Sequence, residues 1–361
     1  MKAEFPALTG IRAIAAYMVF AHHYFGTSCT INIWCPWVYE LHSGVSIFFV
    51  LSGFLIAYKY YGSSCLNLKW LKSYYLSRLA RIYPLFFLVT LTTLIFLKSS
   101  PLEWFLSLSF IKGLFSEYKF IVIPQTWTLT VEMVFYLLAP FIFVLAKRRV
   151  FLALQFFLIF LIGILITTGG RIDNLQNFIS SHLFLLIYTF FGRCFEFLVG
   201  IFLALMILRK PITLPGKSVT YLGLLGVVLV ILLVSNYQSP EYRYGIFSPQ
   251  GLLIYNLVLP VLIAFFFLGL IAEKTVISFF LSNPLMQILG KSSYAFYLIH
   301  DGIFADLMPQ FFRLNMPVFF ISLNILAIIL YFVIERPANT SIRKLGSRIF
   351  FNLPRRRVNP I

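Results

Sequence analysis

Charge is scarce in this chain. Asp, Glu, Lys and Arg make up 11% of its 361 residues, against about 25% in an ordinary soluble domain. Acidic groups are the scarcest, with 12 Asp and Glu facing 29 Lys and Arg. With 60% hydrophobic residues, a soluble globule of this size could not hide its apolar surface, which excludes a soluble enzyme and a disordered tail protein. Cysteine is also sparse, at four residues. No Cys/His spacing resembles a zinc site, so no metal centre is expected. Cys29 and Cys35 fall in one expected outer loop, where a disulfide is permitted but not dictated by spacing. Cys65 and Cys194 read as bland. There is no internal repeat with a period of about 20–50 residues. There is also no Gly-x-Ser-x-Gly elbow, which argues against a serine nucleophile of that type. The first 25 residues lack a small-residue cleavage site and carry Arg12 and two His within their apolar stretch. They read as a retained first helix, not a signal peptide.

What is abundant is apolar and aromatic. There are 42 Phe and 20 Tyr, and mean hydropathy is +0.90. Apolar windows long enough to cross a bilayer lie at 8–25, 43–61, 82–98, 131–146, 150–168, 191–208, 218–235, 252–271, 288–308 and 317–334. The stretch 179–190 is a further half-helix or part of a longer sixth helix, so eleven crossings remain open. The fold class is therefore all-α, a polytopic transmembrane bundle of about ten helices. Residues 1–345 form the transmembrane domain, and 346–361 form a basic tail.

The net charge of +17 would suit nucleic acid, but Lys and Arg sit between apolar runs and not on one basic module. They concentrate at the N-terminus, in 59–81, 147–149, 209–217 and 272–291, and after 334. The intervening loops mix Lys112, Lys119, Arg171 and Arg243 with Glu40, Glu103, Glu117, Asp173 and Glu241. By the positive-inside rule both termini are expected in the cytoplasm. The run Arg355–Arg357 is most simply an inner-leaflet anchor.

Ionisable groups within a membrane cost roughly 2.5–3.5 kcal/mol on insertion scales and mark function by default. Here they are Arg12, His22, His23, Glu132, Arg193, Glu196, His300, Asp301 and Asp306. Arg12 and His23 are eleven residues apart, within about 20° of three full turns, so they share one helix face about 16 Å apart. His22 is turned about 100° away. The bland alternative is that Arg12 snorkels and His23 makes a structural hydrogen bond. Glu132 opens the fourth span at the same outer level as His23. It is either an acid paired with the imidazole or an N-terminal helix charge favoured by the dipole. Arg78 and Arg81 lie three apart just before the third span, at a spacing that suits a phosphate or pyrophosphate. Positive-inside anchoring would explain them equally well. Arg193 with Glu196, His300 with Asp301, and Glu335–Pro337 at the close of the last helix read as structural.

Several blocks resemble one family in order. Arg12 to His23 matches its Arg-x10-His motif in ALTGIRAIAA. GVSIFFVLSGFLI (44–56) is similar to its GVDLFFVLSGFLI, and Arg78–Pro84 matches Arg-x-x-Arg-Ile-Tyr-Pro. WTLTVEMVFYLLAP (127–140) is similar to WSLSVEEQFYLLWP. RCFEFLVGIFLA (193–204), LGKSSYAFYLIH (289–300) and ERP (335–337) match later blocks. The sequence thus resembles the acyltransferase type 3 family, integral-membrane enzymes that O-acylate extracytoplasmic sugars.

That resemblance implies a cytoplasmic acyl-CoA donor, usually acetyl-CoA. The acceptor would be a hydroxyl of a sugar such as O-antigen of lipopolysaccharide or another surface polysaccharide, possibly lipid-linked, at the inner (cytoplasmic) membrane. Arg12, Arg78 and Arg81 would hold the donor, His23 would be the general base, and Glu132 would orient it. Ser46 stands where many members have Asp, so no carboxylate role carries to that position. Met133 replaces a second Glu and concentrates the acidic role on Glu132. No hydrolase-like domain is expected after the last helix, so the chain either delivers the acyl group itself or hands it to a partner. Membrane lipids are expected partners, and a homo-oligomer is left open. Two rival readings are a transporter or flippase of lipid-linked sugars, and an acyltransferase acting on a lipid or small molecule.

Overall fold

In a bilayer each backbone N–H and C=O must find its partner inside the chain, and a helix does this within one segment. The computed structural model describes residues 5–28, 35–146, 148–169, 177–209, 212, 216–239, 241, 243–312 and 315–350, and meets that demand with helices. In chain order the longer ones are α1 (Pro6–Ser28), α2 (Gly44–Tyr60), α3 (Leu68–Phe96), α4 (Trp127–Leu145), α5 (Arg149–Gly169) and α6 (Phe190–Arg209). They continue with α7 (Ser218–Ser235), α8 (Leu259–Ala272), α9 (Pro284–Ile299), α10 (Ile303–Phe312), α11 (Met316–Leu330) and α12 (Arg336–Phe350). Among the described residues no strand forms, and an isolated bridge pairs Phe115 with Phe178. The protein is a multi-pass, all-α membrane bundle.

Eight helical stretches among the described residues are long and apolar enough to cross a membrane. They fall on eight of the ten expected spans. The two exceptions have separate causes. α1 has 23 residues, but Arg12, His22 and His23 dilute its apolar run. The expected ninth helix, 288–308, is broken between α9 and α10. Gly302 there takes φ +85°, a left-handed conformation that costs glycine little. The break leaves carbonyls without helical partners. Gln125 Nε2 closes it by donating to Leu298 O at 3.1 Å and Asp301 O at 3.2 Å.

Hydropathy windows also misplace helix ends. α3 starts at Leu68 and runs 29 residues with Pro84 inside it, so Arg78 and Arg81 lie within this helix, not before it. The last helix does not close at Glu335–Pro337. A π-helical turn, Tyr331–Glu335, joins α11 to α12. Pro337 has no N–H to donate, and the wider turn before it absorbs the loss. The boundary expected at residue 345 falls inside α12. Residues 351–361, with Arg355–Arg357, lie outside the described residues, as does Cys29 and with it the Cys29–Cys35 disulfide left open above. The stretch 179–190, expected as a half-helix or part of a longer sixth helix, holds a short helix, His182–Tyr188, which Thr189 separates from α6.

The chain forms two compact units, Met1–Leu55 with Phe195–Tyr297, and Ile56–Cys194 with Leu298–Ile361. In the first, α7 and α8 pack along each other through glycine. A Cβ on Gly223 would lie 2.6 Å from Phe266 Cα, and one on Gly269 would lie 2.5 Å from Thr220 N. Small residues permit such approach where lipid supplies no hydrophobic drive between helices. Glu273 caps the start of α7, accepting from Val219 N at 3.0 Å and Thr220 N at 2.8 Å.

In the second unit the connection between α3 and α4 closes over a lysine. Lys112 is 2% exposed, and its Nζ donates to Ile121 O at 2.5 Å and Ile123 O at 2.8 Å. Burial pulls its pKa down from 10.5 to about 7. A neutral amine has two N–H groups, one for each carbonyl. Between about pH 7 and 10.5 the unfolded chain then binds more protons at Lys112 than the folded one, so folding stability should rise with pH across that window. We expect the apparent melting temperature of the detergent-solubilised protein, measured relative to Lys112→Met, to climb from pH 7 to 10. A difference that stays flat would mean the amine is not held neutral.

Candidate functional site

In the first unit the C-terminal end of α1 carries two adjacent imidazoles. His22 Nδ1 lies 2.6 Å from Tyr39 O. A carbonyl oxygen can only accept, so Nδ1 carries the proton and Nε2 is the lone-pair nitrogen of the neutral ring. The His23 ring sits 5.1 Å from that of His22, and the His42 ring 5.3 Å from it. Arg12 and His23 are both partly buried on the same helix, and their spacing puts them on one face.

His42 is held from both ends. Its Nδ1 is 3.1 Å from Tyr255 OH, and its Nε2 is 3.2 Å from Glu40 Oε2. Glu40 is 1% exposed. Its Oε1 accepts from Gln238 Nε2 and from the Gly245 backbone N–H, each at 2.7 Å. The Glu40–Ser43 turn comes directly before α2, and Gln238 and Gly245 of the 238–245 segment fix its carboxylate. Tyr244 adds a ring 5.4 Å from His22. The Arg243 guanidinium lies over the Tyr39 ring at 5.2 Å. Among the described residues no group of three His, Cys, Asp or Glu side chains could hold a metal ion. The arrangement can do proton chemistry: it combines an oriented imidazole with an imidazole–carboxylate pair and a phenol.

The second unit holds the other expected residues. Glu132 lies one turn inside α4, and its Oε1 accepts from Tyr136 OH one turn further on. The Arg78 guanidinium lies over the Tyr136 ring at 5.8 Å and the Tyr60 ring at 5.4 Å. It also donates from Nη2 to Tyr60 OH at 3.3 Å. Tyr60 OH meets Ser77 Oγ at 2.9 Å, and Ser77 Oγ donates to Tyr74 O at 2.9 Å. Arg81, three residues along α3, faces a different neighbour and lines a cleft with α12. The two arginines therefore do not form one fork. Arg78 is tied through Tyr136 to Glu132. Arg12 and His23 belong to the first unit, and Arg78, Arg81 and Glu132 to the second.

With that geometry in place, the sequence comparisons are informative. The family described as an acyltransferase domain, acyltransferase type 3, matches residues 5–336. The chain belongs to this family. A protein of Staphylococcus aureus (strain COL) with a provisional O-acetyltransferase name is 26% identical, covering 94% of this chain and 58% of its own. O-acetyltransferase OatA of Staphylococcus aureus (strain NCTC 8325 / PS 47) is 26% identical, covering 98% of this chain and 59% of its own. The chain thus spans under two thirds of the length of these relatives. No solved structure matches it.

The family match covers all five expected site residues, but three partners were not read from the sequence. Glu40 entered only as an outer-loop charge, and His42 and Tyr255 not at all. Nothing in the spacing links residue 255 to residue 42. Tyr136 is a fourth partner absent from the sequence reading, although it follows Glu132 at i+4, where helix side chains meet. Glu40→Ala should leave the buried Gly245 N–H without its acceptor, at about 1–3 kcal/mol, and remove the carboxylate beside His42, while Gln238 keeps Pro36 O. Glu40→Gln keeps one acceptor oxygen. Thermal unfolding should therefore rank wild type above Glu40→Gln and Glu40→Ala lowest. Equal melting of Ala and wild type would show that the carboxylate holds nothing.

Proposed function

We propose that this family member transfers an acyl group, acetyl in the first instance, from acyl-CoA on the cytoplasmic side to a hydroxyl of an extracytoplasmic sugar. Surface polysaccharide such as O-antigen is the acceptor class, and the inner membrane the location. The observation that carries this reading is the one face of α1 with Arg12 and His23, ending in the imidazole cluster. Family membership and the O-acetyltransferase names of the relatives support it.

In this mechanism His23 takes the proton of the acceptor hydroxyl as its oxygen attacks the thioester carbonyl. The C–S bond breaks, the sugar ester forms, and the CoA thiolate recovers the proton from His23. Glu132 orients His23 and stabilises its cationic form. Arg12 continues a positive track for the donor, and Arg78 and Arg81 serve its phosphates. An acyl-histidine intermediate is the second route to the same products. A lipid or small-molecule acceptor would use the same residues, whereas a flippase would need no base. Mass spectrometry of surface polysaccharide with and without the gene decides between them. Loss of one acetyl group per repeat unit on deletion supports transfer to sugar, and an unchanged polysaccharide sinks it.

His23→Ala should abolish transfer while protein persists in the membrane, and His22→Ala should be far milder. Equal loss in both would remove the basis for choosing His23. Glu132→Gln keeps shape but not charge, so turnover should fall about 100-fold or more while acyl-CoA still binds. Near-normal turnover in Glu132→Gln would reduce Glu132 to a helix charge.

A further inference from the structure

Four cationic side chains of the second unit line one cleft of ≈ 400 Å³, Arg81 from α3 and Arg336, Arg343 and Lys344 from α12. Small-molecule sites begin at roughly 300 Å³. On α12 the lining residues are 336, 339, 340, 343 and 344, a spacing of i, i+3, i+4, i+7 and i+8 that puts them on one helix face. Asn339 and Thr340 add neutral polar groups between the charges. Glu335 is the one carboxylate among the lining residues, and with Tyr331 it comes from the π-helical turn. The cleft is therefore strongly cationic, and one carboxylate does not balance four cations.

Placement carries the argument. α12 packs along α3, where Gly346 leaves room for Leu76. The Arg336 guanidinium is held over the Phe332 ring at 5.8 Å, which fixes its head. Cations that serve only as anchors need bias toward one side of the membrane, and long side chains reach headgroups independently of each other. Here side chains from two helices line one concavity, where like charges repel unless an anion occupies it. Guanidinium forks fit phosphate oxygens bidentately.

We propose that this cleft binds a phosphate ester, and, resting on the donor reading above, that its occupant is the phosphorylated nucleotide end of acyl-CoA. An anionic lipid headgroup shares the phosphate chemistry. It is a singly charged diester, whereas the nucleotide end carries a phosphate monoester beside a pyrophosphate, which suits the excess of cations better. In this assignment Arg81 works with α12 and not with Arg78.

The test uses the full chain in phosphatidylcholine nanodiscs. Adenosine 3′,5′-bisphosphate, which lacks thioester and pantetheine, is titrated by calorimetry into wild type, Arg343→Gln/Lys344→Gln and Arg343→Lys. Acetyl-CoA is titrated in parallel. Both altered positions are exposed, and a monodisperse elution profile checks the fold. We expect bisphosphate and acetyl-CoA each to bind the double variant at least about 10-fold more weakly, with Arg343→Lys intermediate. Unchanged bisphosphate affinity in the double variant overturns the cleft. If acetyl-CoA affinity is also unchanged, the donor reading stands without the cleft. Binding of bisphosphate that depends on the cleft, with no binding of acetyl-CoA, leaves the cleft and overturns the donor reading. Wild type that binds neither overturns the proposal. So does a double variant whose only defect is weaker retention of phosphatidylglycerol in mixed-lipid discs, which would mark a lipid site.

Discussion

A helix that stops inside an apolar environment leaves carbonyl or amide groups that lipid cannot satisfy, at several kcal/mol each. Each break described above is met by a particular side chain. Gln125 takes the carbonyls freed between α9 and α10. Arg193 donates to Ile187 O, near the end of the short helix before α6. Glu273 accepts from the first amides of α7. Lys112 threads the connection between α3 and α4. Charged residues in this chain are few, and three of these four closures use one. The imidazole cluster obeys the same rule. Tyr39 offers a carbonyl, His22 occupies it, and in doing so the ring is fixed in one tautomer. Glu40 likewise satisfies the Gly245 amide and then faces His42. The device that closes backbone therefore also sets the chemical state of the side chains that close it.

Around Arg78, aromatic residues take the place that a salt bridge often holds in a soluble protein. Arg78 has no carboxylate as its described partner. It is enclosed by Tyr60 and Tyr136, with Tyr74 stacked on Trp70 at 5.4 Å behind them. A guanidinium accepts such a setting because its faces stack and it is weakly hydrated, which an ammonium does less well. This separates the two arginines of α3. Arg78 is bound into an aromatic box that reaches Glu132, while Arg81 keeps its place in the cleft.

Much of the fold was legible in the sequence, because hydropathy and the bias of Lys and Arg act along the chain. Eight of ten spans coincide with helices long and apolar enough to cross, a ninth lies within α1, and the helix at 182–188 falls in the stretch expected as a half-helix or part of a longer sixth helix. What the windows missed has a common cause: a helix can outrun its apolar stretch when one face is polar. That is why α3 begins at Leu68 and why α12 continues past Pro337. The break at Gly302 was illegible for the opposite reason. An apolar run reads as continuous even where a distant Gln125 makes an interruption tolerable. The site divides in the same way. Arg12 with His23 is read from a one-helix spacing, as Glu132 with Tyr136 could have been. Glu40, His42 and Tyr255 meet only through tertiary packing.

The cationic excess answers two different requirements. Orientation in the membrane needs only the number of Lys and Arg near helix ends, and their side chains are free to spread. Recognition needs shape, and the stripe on α12 has it, with five positions on one face and Arg81 completing the cleft. Under the proposed reading the same charges serve both needs, which removes the apparent redundancy of so basic a chain. It also assigns the two ends of the reaction to different physics. The donor would be held by charge geometry, which discriminates phosphorylated carriers and is weakened by salt. The acceptor would meet an imidazole and aromatic surface with few fixed charges, so its selection would rest on shape and hydrogen bonding. Donor choice and acceptor choice could then change independently in this family, since no residue of the cleft belongs to the imidazole cluster.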